Sequence, residues 1–141
     1  MNRPQRVTSR DGLAVAVHHL APGDAGRPVL ISHATGFNAA SYRPLATALA
    51  PAFDAWGVDL RGHGATPADA SLAVDWDEFA DDADAALDAV GESPVVGFGH
   101  SMGGAALLGA AGRRPERFAG LVLFEPIVVP VDDDVPARAP A

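Results

Sequence analysis

Gly99-His100-Ser101-Met102-Gly103 places a serine between glycines at spacing two, inside the run from Val95 to Gly112 where an apolar segment gives way to a helical pattern. A serine hydroxyl is hardly ionised at neutral pH, so it attacks a carbonyl carbon only when a neighbouring base takes its proton. The pattern G-x-S-x-G is cheap by itself, because glycine and serine are ordinary turn residues and serine also caps helices. Its meaning comes from context: a strand directly before, a helix directly after, and small residues where the tight turn brings the two together. Here Val95-Val96 precede, Ala105 to Leu108 follow, and Gly99, Gly103 and Gly104 surround the serine. These residues make Ser101 the candidate nucleophile. The turn would force it into an unfavourable backbone conformation, present its Oγ at the sheet edge, and aim the following helix N-terminus and the Met102 amide at a developing oxyanion.

A second oxyanion donor is expected from the loop after the third strand, which lies beside such an elbow. That loop is "SHATGFNAASY", residues 32–42, with Thr35 as first choice and Phe37 as the alternative. "DLRGHGATP", Asp59 to Pro67, reads as a tight turn that shapes the rim of the site. His63 within it is not the expected base, because serine-elbow enzymes run nucleophile, acid, histidine along the chain. His100, next to Ser101 on a sharp turn, is expected to pack beneath the elbow. His18 and His19 lie on an early strand far from it.

The elements that must position these residues alternate along the chain. Leu13–Leu20 reads as a strand after the turn signal Asp11-Gly12, and "RPVLISHA" as an apolar strand entered through Pro28. "SYRPLATALAP" reads as a short helix capped by Ser41 and stopped by Pro51, "FDAWGVDL" as a strand. From Asp75, the residues Trp76, Phe79, Ala80, Ala83, Leu87 and Val90 fall at helical spacing, with the acidic residues expected mostly on the solvated face. "PVVGFG", "SMGGAALLGAAGRR" and "AGLVLFEPIVV" continue as strand, helix and strand. Continuous apolar strands argue for a sheet covered on both faces, and strand–helix alternation for a parallel one. The fold class is α/β, a mostly parallel sheet flanked by helices.

Length and composition narrow the function classes. The 141 residues are 48% hydrophobic, and the mean hydropathy of +0.11 fits one globular domain. The formal net charge of −8 would repel a phosphate backbone, which excludes nucleic acid as a natural partner. There is no cysteine, so thiolate chemistry and disulfides are excluded and a reducing, cytoplasmic setting is expected. No apolar run reaches membrane-spanning length, the N-terminus carries no signal-like core, and the five histidines show no metal-ligating spacing. No cofactor and no metal are expected. "GFGHSMGG" also comes close to a dinucleotide-binding G-x-G-x-x-G, but its third glycine is one place late and it follows the wrong strand.

"HATGF", "DLRGHG", "GFGHSMGG" and "RPERFAGLVLFEPI" occur in an order and spacing that resembles the α/β-hydrolase superfamily, over about residues 10–130. The oxyanion loop looks like that of soluble bacterial members reading His-Ala-Thr-Gly-Phe. The resemblance implies Ser101 as nucleophile, Met102 and Thr35 as oxyanion hole, and a small-molecule substrate cleaved at an ester or related acyl bond. A serine rather than an aspartate at position 101 disfavours the epoxide and halide branches. In the family the acid and the histidine follow later strands, whereas no histidine follows Ser101 here. Glu125 stands at an acid position that some members use. The chain is therefore expected to be the N-terminal part of such a fold, truncated after about the sixth strand. Residues 1–130 would form the core and 131–141 a disordered Pro/Ala-rich tail, the start of a missing cap or C-terminal half. "LVLF" would be an open apolar edge suited to association with another chain, and the alternative to a serine hydrolase is a non-catalytic half-domain that associates in this way.

Overall fold

The computed structural model describes residues 3–24, 26–68 and 75–128. Six strands form one sheet: β1 (Gln5–Thr8), β2 (Ala14–Ala21), β3 (Pro28–Ser32), β4 (Asp54–Asp59), β5 (Val95–His100) and β6 (Phe118–Phe124). Their order across the sheet is β1-β2-β4-β3-β5-β6. The pairs β3/β4, β3/β5 and β5/β6 are parallel, while β2 runs antiparallel to both β1 and β4. The strand β1 escapes the sequence reading because Gln-Arg-Val-Thr is short, polar and almost wholly exposed. Only its pairing with β2 makes it a strand.

Three α-helices flank the sheet: α1 (Arg43–Leu49), α2 (Trp76–Val90) and α3 (Met102–Arg113). Successive side chains of a strand point to opposite faces, and the buried run of β3 shows the consequence. Leu30 joins the core under α2 and α3, with Val58, Leu87, Val95 and Leu107. Val29 and Ile31 join the core under α1, with Ala46 and Ala55. Helices on both faces explain why the central strands read as continuous apolar runs.

One local expectation is corrected and another gains an exception. Ser41 does not cap the first helix; Asn38 caps a 3-10 turn, Ala39–Tyr42, that leads into α1, and Asn38 Oδ1 accepts from the Ser41 amide at 3.2 Å. The acidic stretch of α2 is not uniformly solvated, since Asp82 is fully buried. Asp82 accepts from the Arg61 backbone amide at 2.9 Å, from its guanidinium at 2.7 and 2.9 Å, and from the Ser9 hydroxyl at 2.8 Å. Burial works against the Arg61 charge, but Asp82 and Asp11 outweigh it and hold the guanidinium ionised.

The helix predicted from Asp75 is present, with Asp75 as N-cap in a capping box with Glu78. The last strand ends at Phe124, short of the predicted residue 129, because Glu125 turns at φ 45° and Pro126 follows. As an edge strand, β6 leaves Val122 and Phe124 about half exposed. No helix among the described residues is long and apolar enough to cross a membrane. The expected tail, 131–141, lies outside the described residues.

Candidate active site

Parallel strands that share one sheet present their carboxyl ends on one side, and loops gather where the strand order reverses. That reversal falls at β3, whose neighbours β4 and β5 lead away in opposite directions. The loop after β3 and the turn after β5 meet there.

Ser101 joins β5 to α3 with φ 52° and ψ −116°. A non-glycine residue in this region costs about 1–3 kcal/mol and persists only where its surroundings impose it. The surroundings are visible. The Ser101 amide donates to the Phe124 carbonyl at 3.0 Å, and the Ser101 carbonyl accepts from Gly104, Ala105 and Ile127 at 3.0, 3.3 and 3.2 Å. The side chain of Ser101 makes no capping bond, so the serine is not there as an ordinary helix N-cap.

Each glycine of the elbow has a steric reason. A Cβ on Gly99 would lie 2.6 Å from Gly104 Cα, and one on Gly104 would lie 2.8 Å from Pro126 Cβ. A Cβ on Gly103 would meet the backbone of Ser32 and His33 at 2.1 to 2.6 Å. The first turn of α3 therefore rests directly on the end of β3. Met102 is buried, and as the first residue of α3 its amide has no intrahelical acceptor.

The opposing loop is a turn in which the Phe37 amide donates to Ala34 O at 3.1 Å, with Gly36 at φ 81°. Glycine suits that position because a type II turn needs positive φ at its third residue. Thr35 precedes it, exposed, and its Oγ1 lies 3.5 Å from Met102 Sδ. The structure thus brings Thr35 and Met102 side by side. Phe37 is half exposed and its amide is committed within the turn. Glu125 sits one residue beyond the Phe124 carbonyl that holds Ser101, exposed and, like Ser101, at positive φ.

The five histidine rings are engaged elsewhere. His18 Nε2 meets Asp59 Oδ2 at 2.8 Å, and His19 Nε2 meets Asp54 Oδ1 at 2.7 Å, both on β2 as expected. His63 Nδ1 contacts Arg61 O at 3.0 Å on the rim. His100 packs on Phe124 at 5.0 Å between ring centroids, with Nδ1 2.8 Å from the Tyr42 hydroxyl. None of these bonds involves the Ser101 hydroxyl.

Two buried groups that sequence reasoning missed hold the loops. His33 is fully buried; its Nε2 accepts from the Leu60 amide at 3.0 Å, so Nδ1 carries the proton and donates to Ala34 O at 2.8 Å. Burial, with a smaller contribution from His63, pushes its pKa below the ordinary histidine value. Asp59 accepts from the Ala39 and Ala65 amides at 2.8 Å each, besides His18. Burial would raise its carboxyl, but these hydrogen bonds outweigh it and hold the pKa below the usual carboxylate range. One carboxylate thereby fixes β2, the loop after β3 and the loop after β4. Its only sequence signal is its place in "DLRGHG".

The family model described as serine aminopeptidase, S33, matches residues 23–140. The chain is similar to Lipase LipV of Mycobacterium tuberculosis, 44% identical over 70 residues, covering 50% of this chain and 26% of the relative. It is 32% identical over 112 residues to human monoglyceride lipase, covering 72% of this chain and 35% of that protein. Among solved structures, the esterase RhEst1 from Rhodococcus sp. ECU1013 superposes with a TM-score of 0.78 at 26% identity. That match covers 89% of this chain and 46% of the esterase. The chain thus spans between a quarter and a half of the length of these relatives.

Proposed function

We propose, on the premise that this chain belongs to the α/β-hydrolase family described as serine aminopeptidase, S33, that it carries the nucleophile portion of an ester-cleaving site. The observation that carries this reading is the backbone of Ser101, held at φ 52° at the N-terminus of α3 without serving as a cap. Ser101 Oγ would attack the acyl carbon of a small-molecule ester as its proton passes to a base. The carbonyl oxygen would take up negative charge between the amides of Met102 and Thr35, supported by the α3 N-terminus. Thr35 is preferred over Phe37 because the Phe37 amide already donates to Ala34 O. Collapse would expel the alcohol with the transferred proton and leave an acyl-serine, which water hydrolyses to the acid and free Ser101.

The base is a group that the described residues do not supply, and Glu125 is the acid proposed to orient it. The lipase and esterase names of the relatives support an ester rather than another acyl bond. The proposed setting is cytoplasmic. Hydrolysis of a short p-nitrophenyl ester, with Ser101→Ala as control, tests the reading. A rate lost in the variant is expected, and equal rates would overturn the role of Ser101.

The β6 edge, which pairs with no further strand among the described residues and has Val122 at 53% and Phe124 at 55% exposure, favours a second reading. In it, these residues form a half-domain that pairs with another chain through that edge. Sedimentation at micromolar concentration would then give a species larger than the monomer, whereas a monomer would exclude it.

A further inference from the structure

We infer that Tyr42 is a positioning residue whose hydroxyl ties the oxyanion loop to the nucleophile turn, an inference that rests on the hydrolase reading of Ser101. The Ala34 amide lies 3.1 Å from the Tyr42 hydroxyl, and His100 Nδ1 lies 2.8 Å from the same oxygen. An amide only donates, so the hydroxyl accepts from Ala34 and its own proton is left for Nδ1. Ala34 immediately precedes Thr35 and His100 immediately precedes Ser101, so one hydroxyl links the residues flanking both candidate partners of a reacting carbonyl.

The tether is built rigidly. Tyr42 is the last residue of the 3-10 turn that leads into α1, and its ring packs against the core under α1 and 6.3 Å from the Phe98 ring. Burial raises its pKa above the ordinary phenol value, which keeps the hydroxyl protonated and able to serve both partners. His100 is held from its other side by Phe124, the residue whose carbonyl accepts from the Ser101 amide. The spacing of loop and elbow in turn sets the distance between the amides of Thr35 and Met102. Oxyanion stabilisation is steep in such distances, because the donors must meet the position that the charged oxygen will occupy.

Tyr42→Phe keeps the ring and removes both hydrogen bonds. The first readout is the 15N spectrum of the His100 ring, which needs no activity. The His100 Nδ1 resonance should move on substitution as it loses its donor, and an unmoved resonance overturns the tether. The second is the reaction of Ser101 with a p-nitrophenyl alkylphosphonate, followed by p-nitrophenolate release. The limiting rate should fall about tenfold or more, below the loss caused by deleting an oxyanion donor outright. Half-saturation by the phosphonate should stay close to that of the unsubstituted chain, while thermal stability falls modestly as the buried Ala34 amide loses its acceptor.

A limiting rate within twofold overturns the positioning role. So does a loss in which half-saturation deteriorates together with the rate, since that marks a merely structural residue. An unsubstituted chain that never reacts overturns the positioning role together with the hydrolase reading. A reactive chain with an unimpaired Tyr42→Phe variant overturns the positioning role alone.

Discussion

Gly103 and Ser32 touch backbone to backbone: a Cβ on Gly103 would stand 2.1 Å from the Ser32 carbonyl oxygen. That contact sets the first turn of α3 on the end of β3 and thereby the height of Ser101 above the sheet. Since Ser32 is paired on both sides within the sheet and Gly103 lies in the first turn of α3, relief of the clash must shift the helix or break strand pairing, and Gly103→Ala should destabilise the fold by about 3 kcal/mol. Gly112 lies in the same helix with nothing within 4 Å of its Cβ position. Gly112→Ala should stabilise by about 0.5 kcal/mol through helix propensity. Urea denaturation of the two variants checks both signs, and a Gly103→Ala protein as stable as the parent would refute the contact.

Ser101 pays for its presentation in backbone strain, and the strain is separable from its chemistry. Ser101→Gly relieves a non-glycine residue at φ 52° and should raise stability by about 1 kcal/mol, after allowance for the flexibility glycine adds to the unfolded chain. Ser101→Ala keeps the Cβ and should leave stability within about 0.5 kcal/mol of the parent. Both should abolish phosphonate labelling. Equal stability of the glycine and alanine variants would mean that the turn stores no strain at this residue.

Asp82 is the partner that allows Arg61 to lie almost wholly inside the protein. Asp82→Ala leaves the buried guanidinium with only Asp11 and Glu78, both at Nη1, and should cost about 3 kcal/mol. Replacing the pair together, as Arg61→Met with Asp82→Leu, should recover most of that loss, because the charge and its counter-charge leave together. Chemical denaturation of single and double variants makes the comparison. A double variant less stable than Asp82→Ala would show that the pair does more than neutralise itself.

His33 should titrate below the ordinary histidine value of 6.5, because burial and the nearby His63 oppose its charged form. A histidine whose pKa is depressed by folding stabilises the native state above the unfolded value. That contribution is lost as pH falls through the folded value, since only the unfolded chain then takes up the proton freely. The prediction is a ring resonance whose midpoint lies below 6.5 and, on acidification below 6.5, a decline of stability that His33→Gln lacks. A His33 midpoint at or above 6.5 would contradict it. Asp59 adds a fall of the same sign at lower pH, about 4 and below, as the carboxyl of the unfolded chain takes up a proton before the depressed native one does.

Much of the architecture is legible from local pattern. The strand–turn–helix around Ser101 is marked by apolar residues, then closely spaced glycines, then helix formers, and each signal lies within a few residues of the next. The helix from Asp75 is announced by its capping residues and its spacing. Legibility ends where the decisive partner is distant. Asp82 looks like one more acid on a solvated face until Arg61, 21 residues earlier, is found against it. Gln5–Thr8 has no strand pattern of its own and is ordered only by β2. Asn38 outcompetes Ser41 as cap because the chain begins its helical turn three residues earlier than the apolar pattern suggests.

By itself, then, the sequence determined the α/β class and the identity of the presented serine, because period, glycine placement and capping act over a turn or two of chain. Only the tertiary structure decided that Thr35 and Met102 lie together, that Asp59 holds three segments, and that Tyr42 reaches from Ala34 to His100. Those contacts join residues up to 67 positions apart. They depend on the order in which strands pair and on which face each side chain takes, and neither is written in any local stretch.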